Sequence, residues 1–351
     1  MFIGGIIKKD GAPVSITTSP REDAQLPQIS ALKPTEEVSQ DGAQEIAETA
    51  ELITKPIDAL AYDPSDYRQA PNGALDPESK LDKLQPDDDI EVAALPPVKI
   101  IPKIMPSAQE QTWKKFSIPF PVMSGKPLIA MVIDDVGLNS KRVQALIALP
   151  PPLTLSFLPY AKRLDEFSKK TRNQGHEVML HMPMEPLRAS ADPGPDALLK
   201  ALSLDEIRSR TLKNLSQFSG YVGVNNHMGS KFTAYEDGMA VVMDILASEG
   251  LLFLDSRTTA KSKGYRLARE RGMPTGNRDV FIDNEISLTA INSQLATVEK
   301  YARKNGIVIA IGHPYPETIE ALSKWIPQAK AKGFQFVPIT TALTHKVAKA
   351  N

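Results

Sequence analysis

The sequence predicts an α/β protein: a (β/α) barrel of about seven to eight mainly parallel strands, preceded by a long disordered N-terminal segment. From residue 126 onward, short apolar runs alternate with longer amphipathic stretches. Continuous apolar runs such as LIAMVI and GIVIAI are typical of strands that are buried on both faces. Short joints between strands and helices indicate a parallel sheet with the helices outside. Eight strands in this length favour a closed or nearly closed barrel, and an open doubly wound sheet is the alternative.

The elements follow from apolar runs and from helix-end signals. The predicted strands are 128–133, 153–158, 177–180, 221–224, 251–254, 280–282, 307–311 and 335–338. The predicted helices are 139–148, 161–173, 204–219, 235–249, 288–305 and 316–332. Ser203 and Glu206 form a capping box at the start of the third helix. A glycine ends a helix just before the next strand at Gly175, Gly250, Gly306 and Gly333.

Residues 1–125 have a different composition from the rest of the chain. They hold 15 of the 29 prolines and 20 Asp and Glu against 12 Lys and Arg, whereas residues 126–351 hold 22 against 29. Such a segment cannot bury enough apolar surface to offset its conformational entropy. We therefore predict a disordered tail or linker over 1–125, a folded domain over 126–345 and a C-terminal tail over 346–351.

The composition excludes several classes of protein. The chain has no cysteine, which excludes a disulfide scaffold, a cysteine-ligated zinc site and a thiol nucleophile. The net charge of −1 argues against a strongly basic nucleic-acid binder. Neither a Gly-x-Ser-x-Gly elbow nor a glycine-rich phosphate loop occurs. Serine-hydrolase and nucleotide chemistry are therefore disfavoured.

Polar residues follow directly after most of the predicted strands. In a parallel barrel the carboxyl ends of all strands meet at one mouth, where catalytic groups gather. Each of these residues also has a structural alternative, as a helix cap, an ion pair or a hydrogen-bonded histidine. Their coincidence at one end favours a metal or acid–base site. The candidates are Asp134, Asp135, His181, Glu185, Asn226, His227, Asp255, Arg257 and His313.

Two histidines and one aspartate form a ligand set of the zinc type, with a position left open for water. A second carboxylate beside the metal could accept a proton from this water, and a further imidazole could protonate a leaving amine. The chain supplies adjacent Asp134 and Asp135, together with His181, His227 and His313 from three strands. The reaction class that follows is metal-assisted hydrolysis of an amide or ester.

Five motifs in this order resemble the divergent polysaccharide deacetylases, relatives of the NodB-type carbohydrate esterases. They are IAMVIDDVG, EVMLHMPMEP, GVNNHMGS, LLFLDSRT and VIAIGHP, and the resemblance covers roughly residues 126–345. It implies a distorted (β/α) barrel and a divalent metal, usually zinc. The implied reaction is removal of an N-acetyl group from a polymeric amino sugar.

The resemblance also implies roles for individual residues. Asp134 matches the catalytic base, Asp135 and His181 match metal ligands, and His313 matches the general acid. Ordinary polysaccharide deacetylases carry a second metal histidine four residues after the first, where this chain has Glu185. We therefore expect His227 to complete the metal site and keep Glu185 as a catalytic candidate. Asn226, Asp255 and Arg257 are candidates for substrate contact.

The resemblance implies an envelope polysaccharide, such as peptidoglycan, as the substrate, and a periplasmic or cell-envelope location. The N-terminus MFIGGIIKKD carries no complete export signal, so we expect a membrane anchor upstream, or a cytoplasmic location if Met1 is the true start. One alternative function is a non-catalytic barrel that binds a glycan or an envelope partner. Another is hydrolysis of a different amide. The sequence gives no oligomeric state.

Overall fold

The apolar runs of the sequence form parallel strands in the computed structural model, which describes residues 111–350, the last five by backbone alone. The strands are β1 Leu128–Val136, β2 Thr154–Phe157, β3 Glu177–Met184, β4 Gly223–Met228, β5 Leu252–Asp255, β6 Thr275–Asn277, β7 Val280–Phe281, β8 Ile307–Gly312 and β9 Gln335–Phe336. Every pairing between them is parallel. All eight predicted strands are present, and β6 is an additional one.

The helices lie between the strands, as predicted, with three additions. They are α1 Thr112–Phe116, α2 Ser140–Ile147, α3 Leu164–Asn173, α4 Leu204–Leu215, α5 Glu236–Ser248, α6 Gly264–Glu270, α7 Leu288–Asn305, α8 Pro316–Ala331 and α9 Ile339–Ala350. The side chain of Ser203 accepts a hydrogen bond from the Glu206 amide, as its capping role requires. Gly306 ends α7 at a φ of 79°, a conformation that glycine adopts without strain.

The strand order is that of a (β/α) barrel. Neighbours run β6-β5-β4-β3-β2-β1-β8-β7, and β9 pairs with the first residues of β1. Only Arg278 and Asp279 separate the two outer strands β6 and β7, so the sheet must curl until its edges meet. The amide of Arg278 donates to Asp255 O in β5, and that of Asp279 donates to Ile309 O in β8. The predicted barrel is therefore confirmed, and the doubly wound alternative does not apply.

Alternate residues of the strands enter two separate apolar clusters. In β1, Leu128, Ala130 and Val132 face one cluster, whereas Ile129 and Met131 face the other. The first cluster also contains Ala342 and Leu343 of α9, so this helix fills the inside of the barrel. The second packs the sheet against the outer helices. Side chains with the orientation of Leu128, Ala130 and Val132 therefore point into the barrel. At the carboxyl ends of the strands, side chains of this orientation point into the mouth of the barrel.

The segment 111–125 is part of the folded domain, although the sequence analysis assigned it to the tail. Trp113, Phe116 and Phe120 pack against the cluster inside the barrel. The Ile118 amide donates to Glu177 Oε1 at 3.0 Å, and Gln335 bonds the backbone of Met123 and Pro121. We call residues 112–123 the strap. Aromatic residues at wide spacing give no periodic signal, which is why the boundary was set too late.

The C-terminal helix continues to Ala350, beyond the predicted domain end at residue 345. The predicted disorder of residues 1–110 lies outside the described residues. Among the helices of residues 111–350, none is both long enough and apolar enough to cross a bilayer.

Candidate metal centre

The centre begins at an irregularity near the end of β1. The register with β2 shifts between Ile133 and Val136, and Asp135 adopts a left-handed φ of 56°. Consecutive side chains of a regular strand point to opposite faces. The shift instead allows both carboxylates to approach His181, whose Nε2 lies 3.8 Å from Asp134 Oδ2 and 3.2 Å from Asp135 Oδ1. A non-glycine residue in this conformation is strained, and such strain concentrates at functional sites.

Asp135, His181 and His227 converge on one point. Asp135 Oδ1 lies 2.7 Å from His227 Nδ1 and 3.2 Å from His181 Nε2. The two imidazole rings have centroids 5.0 Å apart at an angle of 64°. One ligand atom from each residue lies within 4.8 Å of the other two, and all three residues are buried. The three positions that the sequence assigned to the metal are thus brought together.

Asp135 Oδ1 is buried, and among residues 111–345 it has no hydrogen-bond partner of good geometry. It lies 2.7 Å from His227 Nδ1 and 3.2 Å from His181 Nε2. An unpaired buried carboxylate oxygen is costly. A cation shared by the three groups would satisfy it, because zinc ligands at about 2.0–2.1 Å in a tetrahedron stand roughly 3.3 Å apart. The residues present therefore fit a divalent metal of the zinc type.

The environment of His181 selects the nitrogen that faces the centre. Its Nδ1 lies 2.8 Å from Asn225 Oδ1. The orientation of the Asn225 amide is fixed because its Nδ2 donates to Asp134 Oδ1 at 2.7 Å. The other end of the amide, Asn225 Oδ1, must therefore accept the hydrogen bond from His181. His181 Nδ1 is therefore the donor, and the lone pair of the neutral ring is at Nε2, toward Asp135. Metal-bound histidines show this arrangement of a second-shell acceptor.

His313 lies on the other side of the centre and is paired with Asp283. Its Nδ1 is 3.0 Å from Asp283 Oδ1, and its Nε2 is 3.9 Å from Asp135 Oδ2. Burial opposes the charged ring, but Asp283 and Asp135 outweigh it and raise the pKa of His313 to about 9. The protonated ring donates Nδ1–H to Asp283 and keeps its second proton on Nε2, facing the centre.

The two aspartates differ in their ionisation. Burial raises the pKa of Asp134 above its ordinary value, against the attraction of His181 and His313. Burial also opposes the charge on Asp135, but His227 and His181 outweigh it and hold that pKa well below the usual range. Such separation of two neighbouring carboxyl pKa values assigns different chemistry to them. Asp135 remains a permanent anion, while Asp134 is the better proton acceptor near neutral pH.

Glu185 is not part of this centre, contrary to its prediction as a catalytic residue. Its Oε1 pairs with Lys231 Nζ at 2.7 Å, and its Oε2 accepts from the Lys200 amide at 2.7 Å. Its backbone also bonds Leu198, Lys231 and Phe232. Glu185 follows β3, which ends at Met184. Its side chain and backbone connect the adjoining loops instead of pointing into the mouth.

Asp255 and Asn226 make hydrogen bonds within the fold, and the substrate contact predicted for them stays a prediction. Asp255 Oδ2 accepts from Ser262 Oγ at 2.7 Å and from the Tyr265 amide at 3.2 Å, which holds the start of α6. Asn226 Oδ1 accepts from the Ser256 amide, and its Nδ2 donates to Met228 O. Both side chains have the parity that points away from the barrel interior.

Arg257 lies at the mouth, directly after β5. It adopts a left-handed φ of 53°, its amide donates to Asp255 Oδ1, and its carbonyl accepts from Arg278. Contact between Arg257 and a substrate stays a prediction.

Three residues at the centre were not among the predicted site residues: Asn225, Asp283 and Ser256. Asn225 joins His181 and Asp134, and Asp283 supports His313. Ser256 Oγ accepts a hydrogen bond from Asn225 Nδ2 at 3.2 Å. All three follow or end predicted strands, and Asn225 and Ser256 share the inward parity of His227. Strand parity was the signal that could have identified Asn225 and Ser256.

The fold and centre define a (β/α) barrel with a cluster of one aspartate and two histidines at its mouth, and sequence comparison identifies its family. The family model described as divergent polysaccharide deacetylase matches residues 131–343. The chain therefore belongs to the divergent polysaccharide deacetylases.

The chain is similar to sequenced proteins and to proteins of known structure. The chain is 37% identical over 207 residues to the uncharacterised protein YibQ of Escherichia coli K12, which is 59% of this chain and 64% of that protein. It is 36% identical over 196 residues to an uncharacterised protein of Haemophilus influenzae Rd, which is 55% of this chain and 69% of that protein. The crystal structure of the uncharacterised protein ATU2773 from Agrobacterium tumefaciens C58 superposes with a TM-score of 0.64 at 30% identity. The match covers 68% of this chain and 97% of that protein. The chain thus spans just under two thirds of YibQ.

Proposed function

We propose that this protein is a metal-dependent hydrolase that removes N-acetyl groups from an amino-sugar polymer of the cell envelope. The observation that carries the proposal is the buried Asp135 Oδ1, which faces two histidine nitrogens and has no hydrogen-bond partner of good geometry among residues 111–345. Membership of the deacetylase family supports the same reaction class. Zinc is the metal we propose, because two imidazoles and one carboxylate suit it.

Asp135, His181 and His227 would hold the metal. When bound, a divalent ion supplies Lewis acidity and lowers the pKa of a coordinated water toward 7. Asp134 lies beside this position, its Oδ1 is fixed by Asn225, and its Oδ2 remains toward His181. Its raised pKa makes it a suitable acceptor for the proton released by the attacking water.

His313 would supply the proton that the leaving amine needs. Its Nε2 faces the centre, and Asp283 keeps the ring charged and oriented. An amine leaves readily only when protonated, so an acid on the side opposite Asp134 completes the reaction. Asp134 would accept a proton in the first step, and His313 would donate one in the second. Burial of the aspartates and of His181 excludes bulk water from the centre.

The polymer and the location are the finer parts of the proposal. An N-acetylated envelope glycan such as peptidoglycan is the substrate that the family suggests. We propose a periplasmic or envelope location on the same ground. Residues 126–351 carry 29 Lys and Arg against 22 Asp and Glu, so an anionic or neutral polymer suits this part of the chain.

The test combines metal content with amine release. The protein is stripped with a chelator, reloaded with zinc and incubated with N-acetylglucosamine oligomers, and free amines are measured. We expect stoichiometric zinc and amine release in the wild type, and an at least ~100-fold loss of both in Asp135→Asn. Asp244→Asn is the matched control, because Asp244 forms an exposed pair with Arg271 on the outer helices.

Two results would count against the proposal. Zinc binding without amine release from any N-acetylated oligomer would contradict the proposed deacetylase activity. A metal-free protein that still binds the oligomers would favour the alternative function, a glycan-binding barrel without catalysis.

A further inference from the structure

Asn225 occupies a central position between the metal ligands and the candidate base. It is fully buried in β4, and the strand register pairs it directly with His181 of β3. Its side chain points into the mouth, where four polar groups surround one amide. Buried amides are hydrogen-bonded, and this one uses its two ends on groups of different chemical role.

The oxygen of this amide serves the metal side. Asn225 Oδ1 accepts from His181 Nδ1 at 2.8 Å and from Ser156 Oγ at 2.5 Å. Two donors on one oxygen fix its position. Because His181 Nδ1 must then carry the proton, Nε2 is left as the ligand atom.

The nitrogen of the same amide serves the base side. Asn225 Nδ2 donates to Asp134 Oδ1 at 2.7 Å and reaches Ser256 Oγ at 3.2 Å. This bond occupies one oxygen of Asp134 and leaves Oδ2 as the atom directed to His181 and the centre. A rotation of the amide by half a turn would break both functions at once, because it would set oxygen against oxygen at Asp134.

We propose that Asn225 is a positioning residue that fixes the ligand nitrogen of His181 and the reactive oxygen of Asp134 through one amide. The inference rests on the proposed function, since it concerns the same metal centre. Asn225 does not touch the reacting atoms. It acts through His181 on metal affinity and through Asp134 on turnover, and these two effects are separable.

The variant Asn225→Asp separates the two ends of the amide. It keeps an acceptor for His181 Nδ1, but it replaces the donor to Asp134 with a second carboxylate oxygen. Zinc affinity should therefore stay within about threefold of the wild type, or rise. With zinc saturating, kcat should fall roughly 10- to 100-fold with KM little changed, because only the base is displaced.

The variant Asn225→Leu removes both ends. We expect a roughly 10- to 100-fold loss of zinc affinity, measured by competition with a chromophoric chelator, together with the loss of turnover. Asn214→Leu is the matched control. Asn214 is also a buried asparagine, but its Nδ2 bonds only the carbonyls of Asp196 and Arg210, away from the centre. It should lower the melting temperature and leave zinc affinity unchanged.

The outcomes distinguish the inference from the function beneath it. A wild type that binds no zinc would overturn both. Zinc binding in Asn225→Leu within twofold of the wild type would overturn the role of Asn225 alone. So would an Asn225→Asp protein that loses zinc as fully as Asn225→Leu. If Asn225→Leu does not fold, the affinity and turnover of Asn225→Asp decide the question.

Discussion

The pair formed by Asp283 and His313 shows how single residues define the chemistry of the mouth. Asp283 uses both oxygens: Oδ1 contacts His313 Nδ1, while Oδ2 accepts from the His313 amide and from Thr318 Oγ1. The carboxylate is therefore fixed by the same loop that carries the histidine. Its position leaves the His313 ring only one free nitrogen, and this nitrogen faces the centre.

Replacement of Asp283 by asparagine should lower the pKa of His313 in the metal-free protein. The pKa of about 9 is maintained chiefly by Asp283 against burial, so its charge is the main support of the protonated ring. We expect the pKa to fall well below that of the wild type, because burial then opposes the charged ring with less compensation. A histidine NMR titration measures it, and kcat of the zinc form should fall with it.

His176 provides an internal reference in the same spectra. It lies far from the centre, where burial lowers its pKa to about 4, and its ring bonds the backbone of Leu153 and Ile147. Its signal should not move. An unchanged His313 titration in Asp283→Asn would show that Asp283 does not support the charge on this ring.

At the scale of elements, the strap closes the end of the barrel opposite the mouth. It crosses the amino ends of several strands and forms hydrogen bonds with Gly250 ahead of β5, with Glu177 in β3 and with Gln335 in β9. Its aromatic side chains cover the cluster inside the barrel. The family match begins only at residue 131, so this closure is additional to the matched region.

A chain that begins at residue 124 should be markedly less stable than one that begins at residue 111. The shorter chain loses three partly buried aromatic side chains, and large core truncations cost about 3 kcal/mol or more. Urea unfolding monitored by circular dichroism would give both free energies of unfolding. The chain from residue 111 keeps the strap and is the control. Equal stabilities would show that the strap does not contribute to the fold.

The sequence predicted elements well where a single strong signal was present. Long apolar runs identified β1 and β8, and the predicted limits of α7 agree with the structure. The strand β6 was missed because Thr275, Gly276 and Asn277 carry no apolar pattern. The convergence of Asp135, His181 and His227 could be predicted because the carboxyl ends of parallel strands meet at one mouth. The orientation of each strand-end side chain depends on irregularities such as that at Asp135, so the sequence did not distinguish Asn225 from Asn226 or Ser256 from Asp255.

At the scale of the whole molecule, Glu177 links three parts of the chain. Its oxygens accept from the Ile118 amide of the strap and from the amide and hydroxyl of Thr340 at the start of α9. It is fully buried at the first residue of β3. Burial raises the pKa of Glu177 to about 7, against these hydrogen bonds and Arg172.

The stability of the protein should therefore fall as the pH rises. Because the folded-state pKa lies above the ordinary value of 4.5, the contribution of Glu177 is fully present below pH 4.5. It is lost as the pH rises through about 7, and the change is at most ~3 kcal/mol. Unfolding free energies measured between pH 5 and 8 should show this slope.

Glu177→Gln should remove most of that slope, although the variant is less stable because it lacks one acceptor oxygen. Glu320→Gln, which breaks only a surface pair with Lys324 on α8, should keep the wild-type profile. A slope that persists unchanged in Glu177→Gln would assign the pH dependence to other groups.

The strap and the candidate metal centre lie at opposite ends of the barrel. Residues 112–123 lie at the amino ends of the strands, and the metal centre lies at the carboxyl ends. A nine-residue strand such as β1 spans about 30 Å, so the two ends are separated by nearly the whole depth of the domain. Whatever is joined ahead of Gln111 therefore attaches to the back of the barrel. An attachment on that side would leave the mouth of the barrel, with Asp135, His181 and His227, unobstructed.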